Sequence, residues 1–446
     1  MFVKRLDSTI VRTLKDGSVL ALNVETGEHI VIDEVGGAFI KKVLTKAQDV
    51  DEICLSLMSM YYGVSLSELR TDFIGLITEL SEKGIVKISD KPENKNELTD
   101  IQIEILTGCN ERCVHCYIPN AEKNKCMLMP DKMVCSIIDQ FKVLGGKNIT
   151  LSGGEPLLHP DLCKMINYCT LNNLQVGVFS NLTLLDDNIT SALLDSNISA
   201  VQTSLYSMNP NVHDGITKVP GSFAKTLYGI KKLKGKGINV QIACPVMNVN
   251  KEGLSELVDF AVSNDINLRL NSQLIAQNNG DDTFVKGNRL SLMQNKELLC
   301  ELMTNHAEYV IHHLFELSDL DSALINDPQK TCESSICSAG KNSCSISVSG
   351  NVNPCPSWVG CVLGNVFASS LSDIWNGSAR LKHLRHFNKQ KSYPECLECK
   401  ALSFCKRCFA QNASENSKCF LDIDRRVCDE AFLRKEFFDR YANGNG

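Results

Sequence analysis

The 446-residue sequence predicts an α/β protein built around a partial (β/α)6 barrel of the TIM type, with a small α+β domain before it and a cysteine-rich domain after it. Three observations lead to this fold class. Strand and helix patterns alternate six times from residue 101, strands followed by helices fill the first 90 residues, and eleven of the 21 cysteines lie between Cys332 and Cys428. We therefore expect three domains, at residues 1–92, 100–320 and 330–446.

Composition and charge narrow the classes of function. The net charge of -6 and the isoelectric point near 5.9 argue against a nucleic-acid partner, because such proteins normally present a basic surface. The apolar runs are far shorter than a membrane span, and the opening "MFVKRLDSTIV" lacks the apolar core of a signal peptide. We expect a cytoplasmic protein without a membrane partner, whose reduced cysteines bind metal.

The first segment combines strands with helices. The alternating runs "SVLALNV" and "HIVIDEV", separated by "ETGE", predict a hairpin. Apolar residues then recur at helical spacing in "AFIKKVLT", "VDEICLSLMSMYYGV" and "LRTDFIGLITELSEKGIV". The polar stretch "DKPENKNELTD" predicts a linker to the next domain.

The central segment alternates strands with helices. The predicted strands are "IQIEIL", "NITLS", "QVGVFS", "AVQTSLY", "NVQIACPV" and "NLRLNSQLIA". Helical patterns such as "DKMVCSIIDQFKVL", "DLCKMINYCTLNN", "FAKTLYGIKKLKGK" and "LSELVDFAVSN" lie between them. Six such units predict a parallel sheet with right-handed crossovers, and their regular spacing favours a partial barrel over an open sheet.

The last segment shows little periodicity apart from one amphipathic helix, "DEAFLRKEFFDRY". A segment of this kind does not bury a normal core unaided. We expect metal clusters to hold it together.

Chemically active residues follow the predicted strands of the barrel, where working residues of such barrels lie. The loop "LTGCNERCVHCY" follows the first strand, "SGGEP" the second, Ser180 and Asn181 close the third, and Ser204 lies late in the fourth. The first loop offers three thiols: Cys109, Cys113 and Cys116. A structural zinc site or a complete iron-sulfur site takes four protein ligands, so three thiols suggest a metal centre with one position open.

The CxxxCxxC spacing followed by GGEP resembles the radical S-adenosylmethionine (SAM) superfamily. That resemblance implies that Cys109, Cys113 and Cys116 bind a 4Fe-4S cluster whose fourth iron chelates SAM. It also implies SAM contacts: His115 near the adenine, Gly153, Gly154 and Glu155 at the methionine amino group, Ser180 and Asn181 at the ribose and carboxylate, with Ser204 nearby. The alternatives are a zinc site with a distant fourth ligand and, for "SGGEP" alone, an ordinary turn.

The cysteine-rich segment resembles the SPASM domain, which binds two auxiliary 4Fe-4S clusters, in "CSAGKNSCSISVSGNVNPCPSWVGC", "LGNVFASSLSDIWNGS" and "CLECKALSFCKRC". By that pattern the first cluster is bound by Cys337, Cys355, Cys361 and Cys408, and the second by Cys396, Cys399, Cys405 and Cys428. Cys419 is the alternative last ligand, and "CKRC" has two residues where the family often has three. With four cysteines each, both clusters would transfer electrons rather than bind substrate, or serve only as structural staples.

The first segment resembles, in its winged-helix-like order of strands and helices, the peptide-binding domains of the pyrroloquinoline-quinone chaperone type. Such domains bind a leader peptide as an added strand at a sheet edge. A dimerisation or packing domain is the alternative.

All three parts in this order resemble the maturases of ribosomally made peptides, and the thioether formers among them most. The resemblance implies three 4Fe-4S clusters, SAM cleavage to a 5'-deoxyadenosyl radical, a precursor peptide with a leader, and an external electron donor of flavodoxin or ferredoxin type. Carbon-carbon cross-linking or epimerising maturases, a sulfatase-type formylglycine maturase and a non-enzymatic electron-transfer protein are the alternatives.

Overall fold

The computed structural model of the protein describes residues 1–446 except 7, 44–47, 59–63, 90–96, 315–331, 333, 416–418 and 443–446, and except the side chains of 52, 313 and 314. The chain forms two compact units, Met1–Lys95 and Asn96–Gly446. We describe each unit by itself. No helix among the described residues is both long and apolar enough to cross a membrane.

The first unit contains two three-stranded antiparallel sheets and three helices. Its strands are β1 (Phe2–Arg5), β2 (Thr9–Thr13), β3 (Val19–Asn23), β4 (His29–Ile32), β5 (Gln48–Asp49) and β6 (Val86–Ser89), and its helices are α1 (Glu34–Lys42), α2 (Val50–Leu57) and α3 (Leu66–Glu82). The sheets have the orders β5-β1-β6 and β2-β3-β4, and the pairing of β3 with β4 confirms the predicted hairpin. The packed rings of Phe39 and Phe73, with centroids 4.3 Å apart, lie in the core between the helices.

The second unit is built on six parallel strands in chain order, which confirms the predicted strands of the barrel. They are β7 (Asp100–Leu106), β8 (Asn148–Gly153), β9 (Gln175–Phe179), β10 (Ile198–Ser204), β11 (Val240–Pro245) and β12 (Asn267–Asn271). The helices of this part are α4 (Asn120–Lys125), α5 (Asp131–Val143), α6 (Leu162–Leu171), α7 (Asp187–Leu194), α8 (Pro210–Thr217), α9 (Ser222–Gly235), α10 (Leu254–Ser263), α11 (Thr283–Asn288) and α12 (Leu292–Tyr309).

Alternation along the strands determines which side chains reach the inside of the barrel. In β7, Ile101, Ile103 and Ile105 are buried, while Gln102 and Glu104 remain partly exposed. Because successive side chains of a strand point to opposite faces, the isoleucines pack on one face and the polar pair lies on the other. The polar face of β7 is therefore the face that can meet a ligand.

The cysteine-rich part continues the barrel sheet. Its strands are β13 (Ser343–Ile346), β14 (Asn351–Asn353) and β15 (Gly364–Asn365), and its helices are α13 (Leu371–Gly377), α14 (Ala379–Phe387), α15 (Pro394–Leu397), α16 (Phe409–Glu415) and α17 (Arg425–Ala442). Strand β13 pairs in parallel with β7, which gives a nine-stranded sheet of order β12-β11-β10-β9-β8-β7-β13-β14-β15. Short 3₁₀ turns lie at Pro156–Leu158, Lys251–Gly253, Gln390–Ser392 and Leu402–Phe404, and a π turn at Val310–Leu314.

The sequence predicts that the cysteine-rich part has no apolar core of its own. The structure shows that its apolar side chains are buried in a cluster shared with the barrel. Trp375 and Leu371 are fully buried and belong to the same apolar cluster as Ile103 of β7. The shared sheet makes this possible, because β13 brings the segment against the barrel. Apolar packing, as well as any metal, therefore stabilises the cysteine-rich part.

Candidate functional site

A cavity of about 310 Å³ opens where the first four barrel strands end. Of the site residues that the sequence predicts in the barrel, all but Glu155 line it: Cys109, Cys113, His115, Cys116, Gly153, Gly154, Ser180, Asn181 and Ser204. Four separate loops supply these residues. Because parallel strands end on the same side, residues far apart in the sequence meet here.

The three thiols of the first loop lie in a largely buried setting. Burial raises the pKa of Cys109 to about 11 and that of Cys113 well above its ordinary value. The backbone N–H of Glu111 donates to Cys109 Sγ at 3.4 Å, and the Tyr206 hydroxyl donates to Cys113 Sγ at 3.7 Å. Thiolates in such surroundings need a metal to stabilise them, and a cluster supplies one.

The two glycines of "SGGEP" let β8 approach the cysteine loop. A Cβ atom on Gly153, whose φ is +142°, would lie 2.2 Å from the Leu106 carbonyl oxygen. A Cβ atom on Gly154 would lie 2.1 Å from the Gly108 carbonyl oxygen. These positions require glycine because protein backbone, and not only a ligand, comes this close.

Glu155 lies behind the cavity wall. It is fully buried, its Oε1 accepts hydrogen bonds from Ser180 Oγ (2.7 Å) and Leu157 N (3.0 Å), and its Oε2 accepts one from Asn181 N (2.7 Å). Burial raises its pKa to about 7. Both oxygens already have protein partners, so in this arrangement Glu155 ties the second loop to the third, a contact that the resemblance does not imply.

Three buried polar atoms that face the cavity have no hydrogen-bond partner among the described residues. They are His115 Nε2, Glu111 Oε1 and Thr203 Oγ1. Burial lowers the pKa of His115 to about 4, so the ring is neutral near pH 7. Unpaired buried polar atoms are costly, and a ligand with donors and acceptors, as SAM has, would satisfy them. The residues present therefore fit the cluster and SAM.

Sequence reasoning missed half of the cavity lining. The additional residues are Gln102, Glu111, Tyr117, Lys123, Ser152, Phe179, Gln202, Thr203, Tyr206, Pro356 and Ser357. A polar residue inside a strand, as at Gln102 and Gln202, is a pattern that could have identified some of them. Pro356 and Ser357 come from the cysteine-rich part, and only the fold reveals that they reach this cavity.

Three predicted ligands of the first auxiliary cluster lie together. Burial, together with the charges of Cys408 and Cys337, raises the pKa of Cys355 to about 12. For Cys361, the fourth predicted ligand, burial raises the pKa of the thiol and Arg380 is the charged neighbour that opposes the shift. The Cys361 side chain lines a second cavity of about 730 Å³.

The four predicted ligands of the second auxiliary cluster also lie together. Burial raises the pKa of Cys405 to about 11, with the charges of Cys428 and Cys396 adding to the shift. Cys428 also interacts with Cys399. Cys419 takes part in none of these interactions within the described part of the chain. The grouping agrees with the choice of Cys428 as the last ligand, and ligation itself stays a prediction.

No three His, Cys, Asp or Glu side chains among the described residues are arranged to hold a single metal ion. Each cysteine of a 4Fe-4S cluster binds a different iron, so cluster ligands are spaced more widely than the ligands of one ion.

Three family models match the chain. The Radical SAM superfamily model matches residues 103–261, the SPASM iron-sulfur cluster-binding domain matches 337–400, and the Coenzyme PQQ synthesis protein D (PqqD) model matches 19–86. The first two families imply 4Fe-4S clusters and SAM.

Curated relatives span much of the chain. The antilisterial bacteriocin subtilosin biosynthesis protein AlbA of Bacillus subtilis is 24% identical over 93% of this chain and 95% of its own length. The mycofactocin maturase MftC of Mycolicibacterium smegmatis is 23% identical over 68% of this chain and 76% of its own length.

Solved structures share the fold. SuiB of Streptococcus suis bound to S-adenosylmethionine superposes with a TM-score of 0.57 at 18% identity, covering 95% of this chain and 99% of that one. The enzyme anSMEcpe with bound AdoMet and the Cp18Cys peptide has a TM-score of 0.59 at 19% identity, covering 78% of this chain and 98% of that one. With matches to the PqqD, radical SAM and SPASM models in this order, the chain has the domain combination of the radical SAM/SPASM peptide maturases.

Proposed function

We propose that the protein modifies a ribosomally synthesised precursor peptide by forming thioether cross-links between a cysteine sulfur and a carbon of another residue. The observation that carries the proposal is the cavity lined by three partly buried thiols and by His115, Glu111 and Thr203, each of which has an unpaired polar atom. When bound there, the cluster and SAM supply a 5'-deoxyadenosyl radical that removes a hydrogen atom from the peptide.

The residues of the cavity would have distinct tasks. Cys109, Cys113 and Cys116 would hold the cluster. The SAM contacts would come from His115, Gly153, Gly154, Ser180, Asn181 and Ser204. Glu155 would act indirectly, because its carboxylate holds the backbone and side chains of the third loop in place.

The cysteine-rich domain, residues 330–446, would hold two further 4Fe-4S clusters, three in all. The first would use Cys337, Cys355, Cys361 and Cys408, and the second Cys396, Cys399, Cys405 and Cys428. These clusters would accept the electron that bond formation leaves over. An external donor of flavodoxin or ferredoxin type would supply the electron that starts each turnover.

The first domain, residues 1–92, would bind the leader of the precursor, and residues 100–320 would carry out the radical chemistry. The match to the PqqD model supports a recognition role. The solved structure of SuiB bound to the precursor peptide SuiA, with a TM-score of 0.57 and 96% of this chain covered, supports a peptide as ligand. Edge strands β2 and β4 of one sheet and β5 and β6 of the other offer main-chain groups for strand addition.

The bond formed is tested by mass and by thiol counting. Each thioether removes two hydrogens, so the reduced product should weigh about 2 Da less per link and lose one alkylatable thiol, with the cofactor supplying the radical. Reduction before alkylation removes disulfides, which give the same mass change. A variant with Cys109, Cys113 and Cys116 replaced by alanine is the control without radical chemistry.

The alternatives give different results in the same experiment. A carbon-carbon link shows the mass loss with every thiol still alkylated, and epimerisation shows no mass loss. A formylglycine maturase converts a cysteine or serine into an aldehyde that a hydrazide reagent captures. Any of these results would reject thioether formation.

The recognition role is tested by deleting residues 1–95, the first compact unit. The truncated protein should still cleave SAM, because the cavity is built from later residues. It should fail to process a leader-bearing peptide, since strand addition supplies the affinity. Processing at the normal rate would show that this domain has another task.

A further inference from the structure

Glu104 and Tyr117 form a carboxylate and phenol pair inside the barrel that none of the tasks above uses. The Tyr117 hydroxyl donates to Glu104 Oε1 at 2.9 Å. Glu104 lies on β7 with Gln102, two residues away on the same face of the strand, and Gln102 lines the cavity. The pair therefore belongs to the inside of the barrel, next to the SAM site.

Tyr117 lies near one cysteine of the proposed SAM-binding cluster and one cysteine of the first auxiliary cluster. It directly follows Cys116 and lines the cavity, and its carbonyl oxygen accepts a hydrogen bond from Asn278 N (2.9 Å) in the loop after β12. The charges of both Cys116 and Cys355 act on its ring hydroxyl. A substrate held between these two sites would meet Tyr117, and the Glu104 carboxylate is hydrogen-bonded to the hydroxyl of that ring.

The second carboxylate oxygen of Glu104, Oε2, accepts no hydrogen bond among the described residues. The two other carboxylates near the cavity differ. Glu155 has protein partners on both oxygens, and Glu111 accepts a hydrogen bond from the thiol of Cys113, a predicted cluster ligand. Glu111 Oε1 is also unpaired, but Glu111 is bonded to a predicted cluster ligand, whereas Glu104 makes no hydrogen bond to a predicted cluster ligand among the described residues.

Thioether formation needs such a group. The peptide loses a hydrogen atom from carbon, a proton from sulfur and one electron as the S–C bond forms and the S–H and C–H bonds break. The bound cofactor would supply the acceptor of the hydrogen atom, and an auxiliary cluster held by the cysteine-rich part would take the electron. The proton needs an acceptor inside the barrel.

We propose that Glu104 accepts the proton of the substrate thiol, and that Tyr117 is the positioning residue that orients its carboxylate. This inference rests on the proposed thioether chemistry. Burial raises the pKa of Glu104, while the hydrogen bond from Tyr117 opposes the shift. A carboxylate with a raised pKa takes up a proton near neutral pH more readily than an exposed one.

The test uses the full-length loaded enzyme and a leader-bearing precursor uniformly deuterated on carbon. Three quantities are measured: bound iron and SAM affinity, deuterium transfer to 5'-deoxyadenosine, and thioether yield. Glu104→Gln should keep the first two within about twofold and lower the rate of thioether formation about a hundredfold. Tyr117→Phe should lower that rate about tenfold, and Glu104→Asp, which keeps a carboxylate, should recover part of the loss.

The chain supplies a matched control on the outside of the barrel. The Tyr168 hydroxyl donates to Asp139 Oδ1 at 2.8 Å, on the exposed surface of α6 and α5. Asp139→Asn and Tyr168→Phe should change none of the three quantities.

Normal thioether formation in Glu104→Gln would overturn the role of Glu104 and leave the thioether proposal standing. Loss of iron or of SAM affinity in that variant would also overturn it, because that result would show a structural role. A wild-type enzyme that transfers deuterium but forms another product would overturn the thioether proposal, and the role of Glu104 with it.

Discussion

At the scale of single residues, Glu155 is a buried carboxylate whose hydrogen bonds connect two loops of the candidate site. Replacement by glutamine should disrupt this arrangement, because the glutamine amide brings a donor where Ser180, Leu157 and Asn181 also donate. An unsatisfied buried donor costs about 1–3 kcal/mol. Glu155→Gln should therefore lower the midpoint of thermal unfolding and weaken SAM binding, measured by equilibrium dialysis.

The control for this variant is Glu301→Gln on the exposed face of α12, which should leave both measurements unchanged. Unaltered SAM affinity in Glu155→Gln would show that the third loop does not depend on Glu155. The expected coupling between the loops would then be absent.

Gly154 permits a second residue-scale prediction. An alanine there would place its Cβ against two backbone oxygens, 2.1 Å from Gly108 and 2.5 Å from Thr107, and backbone cannot give way as a flexible side chain can. Gly154→Ala should separate β8 from the cysteine loop and reduce iron uptake at the SAM-binding cluster, measured by iron analysis.

Gly215→Ala is the matched control for Gly154→Ala. Its Cβ meets nothing within 4 Å in helix α8, where alanine is the better helix former. Full iron uptake in Gly154→Ala would contradict the close approach of the two loops.

The sequence predicts the residue types of the site better than their tasks. Cysteine spacing and the glycine pair identify loops that the structure brings to one cavity, because covalent spacing is a local property. The orientation of Glu155 toward Ser180, and the pairing of Glu104 with Tyr117, depend on distances between strands. No local pattern encodes such distances, so these contacts emerge only from the fold.

At the scale of elements, β13 is the strand that connects the barrel with the cysteine-rich part. It pairs with β7 on one side and β14 on the other. A proline in such a central strand removes a ladder hydrogen bond and is poorly tolerated. Ser345→Pro should therefore lower the thermal midpoint of the second unit by several degrees, a loss of about 1–3 kcal/mol.

Ser372→Pro provides the comparison for the strand variant. Residue 372 lies in the first turn of α13, where proline is tolerated because the N–H has no helical partner. Equal midpoints for the two variants would show that the β13 pairing contributes little to stability.

The six barrel strands were predictable because each is an apolar run of strand length followed by a helical pattern. The position of β13 in the sheet was not predictable. Its partner β7 lies more than 240 residues earlier in the chain, and Thr99 and Asn342 at the strand ends show the same long-range contact. A strand of four residues is too short for its sequence pattern to indicate which strand it pairs with.

At the scale of the whole molecule, a single apolar cluster links the barrel with the cysteine-rich part, and the proposed SAM cavity is lined by both. Cys355 lies near Tyr117 beside that cavity, whereas Cys396 and its group lie farther along the chain. This nearness to the cavity favours the first auxiliary site as the electron acceptor of the proposed chemistry.

This arrangement predicts a stepwise loss of iron. The reconstituted protein should hold about twelve irons, since each 4Fe-4S cluster contributes four. Alanine at Cys109, Cys113 and Cys116 should leave about eight. Cys428→Ala should disturb the second auxiliary cluster, while Cys419→Ala should keep the full amount, because Cys428 is the one grouped with Cys396 and Cys399.

Cys361 makes the iron inventory most informative, because it is the predicted ligand of the first auxiliary cluster whose thiol lies near the charge of Arg380. If it completes the first auxiliary site, Cys361→Ala should lower the iron content or broaden the electron paramagnetic resonance signal of that cluster. An unchanged spectrum with about twelve irons would instead mean that three cysteines suffice there. One position of that cluster would then be open to a ligand, and Ser357 lines both the SAM cavity and the cavity that Cys361 lines.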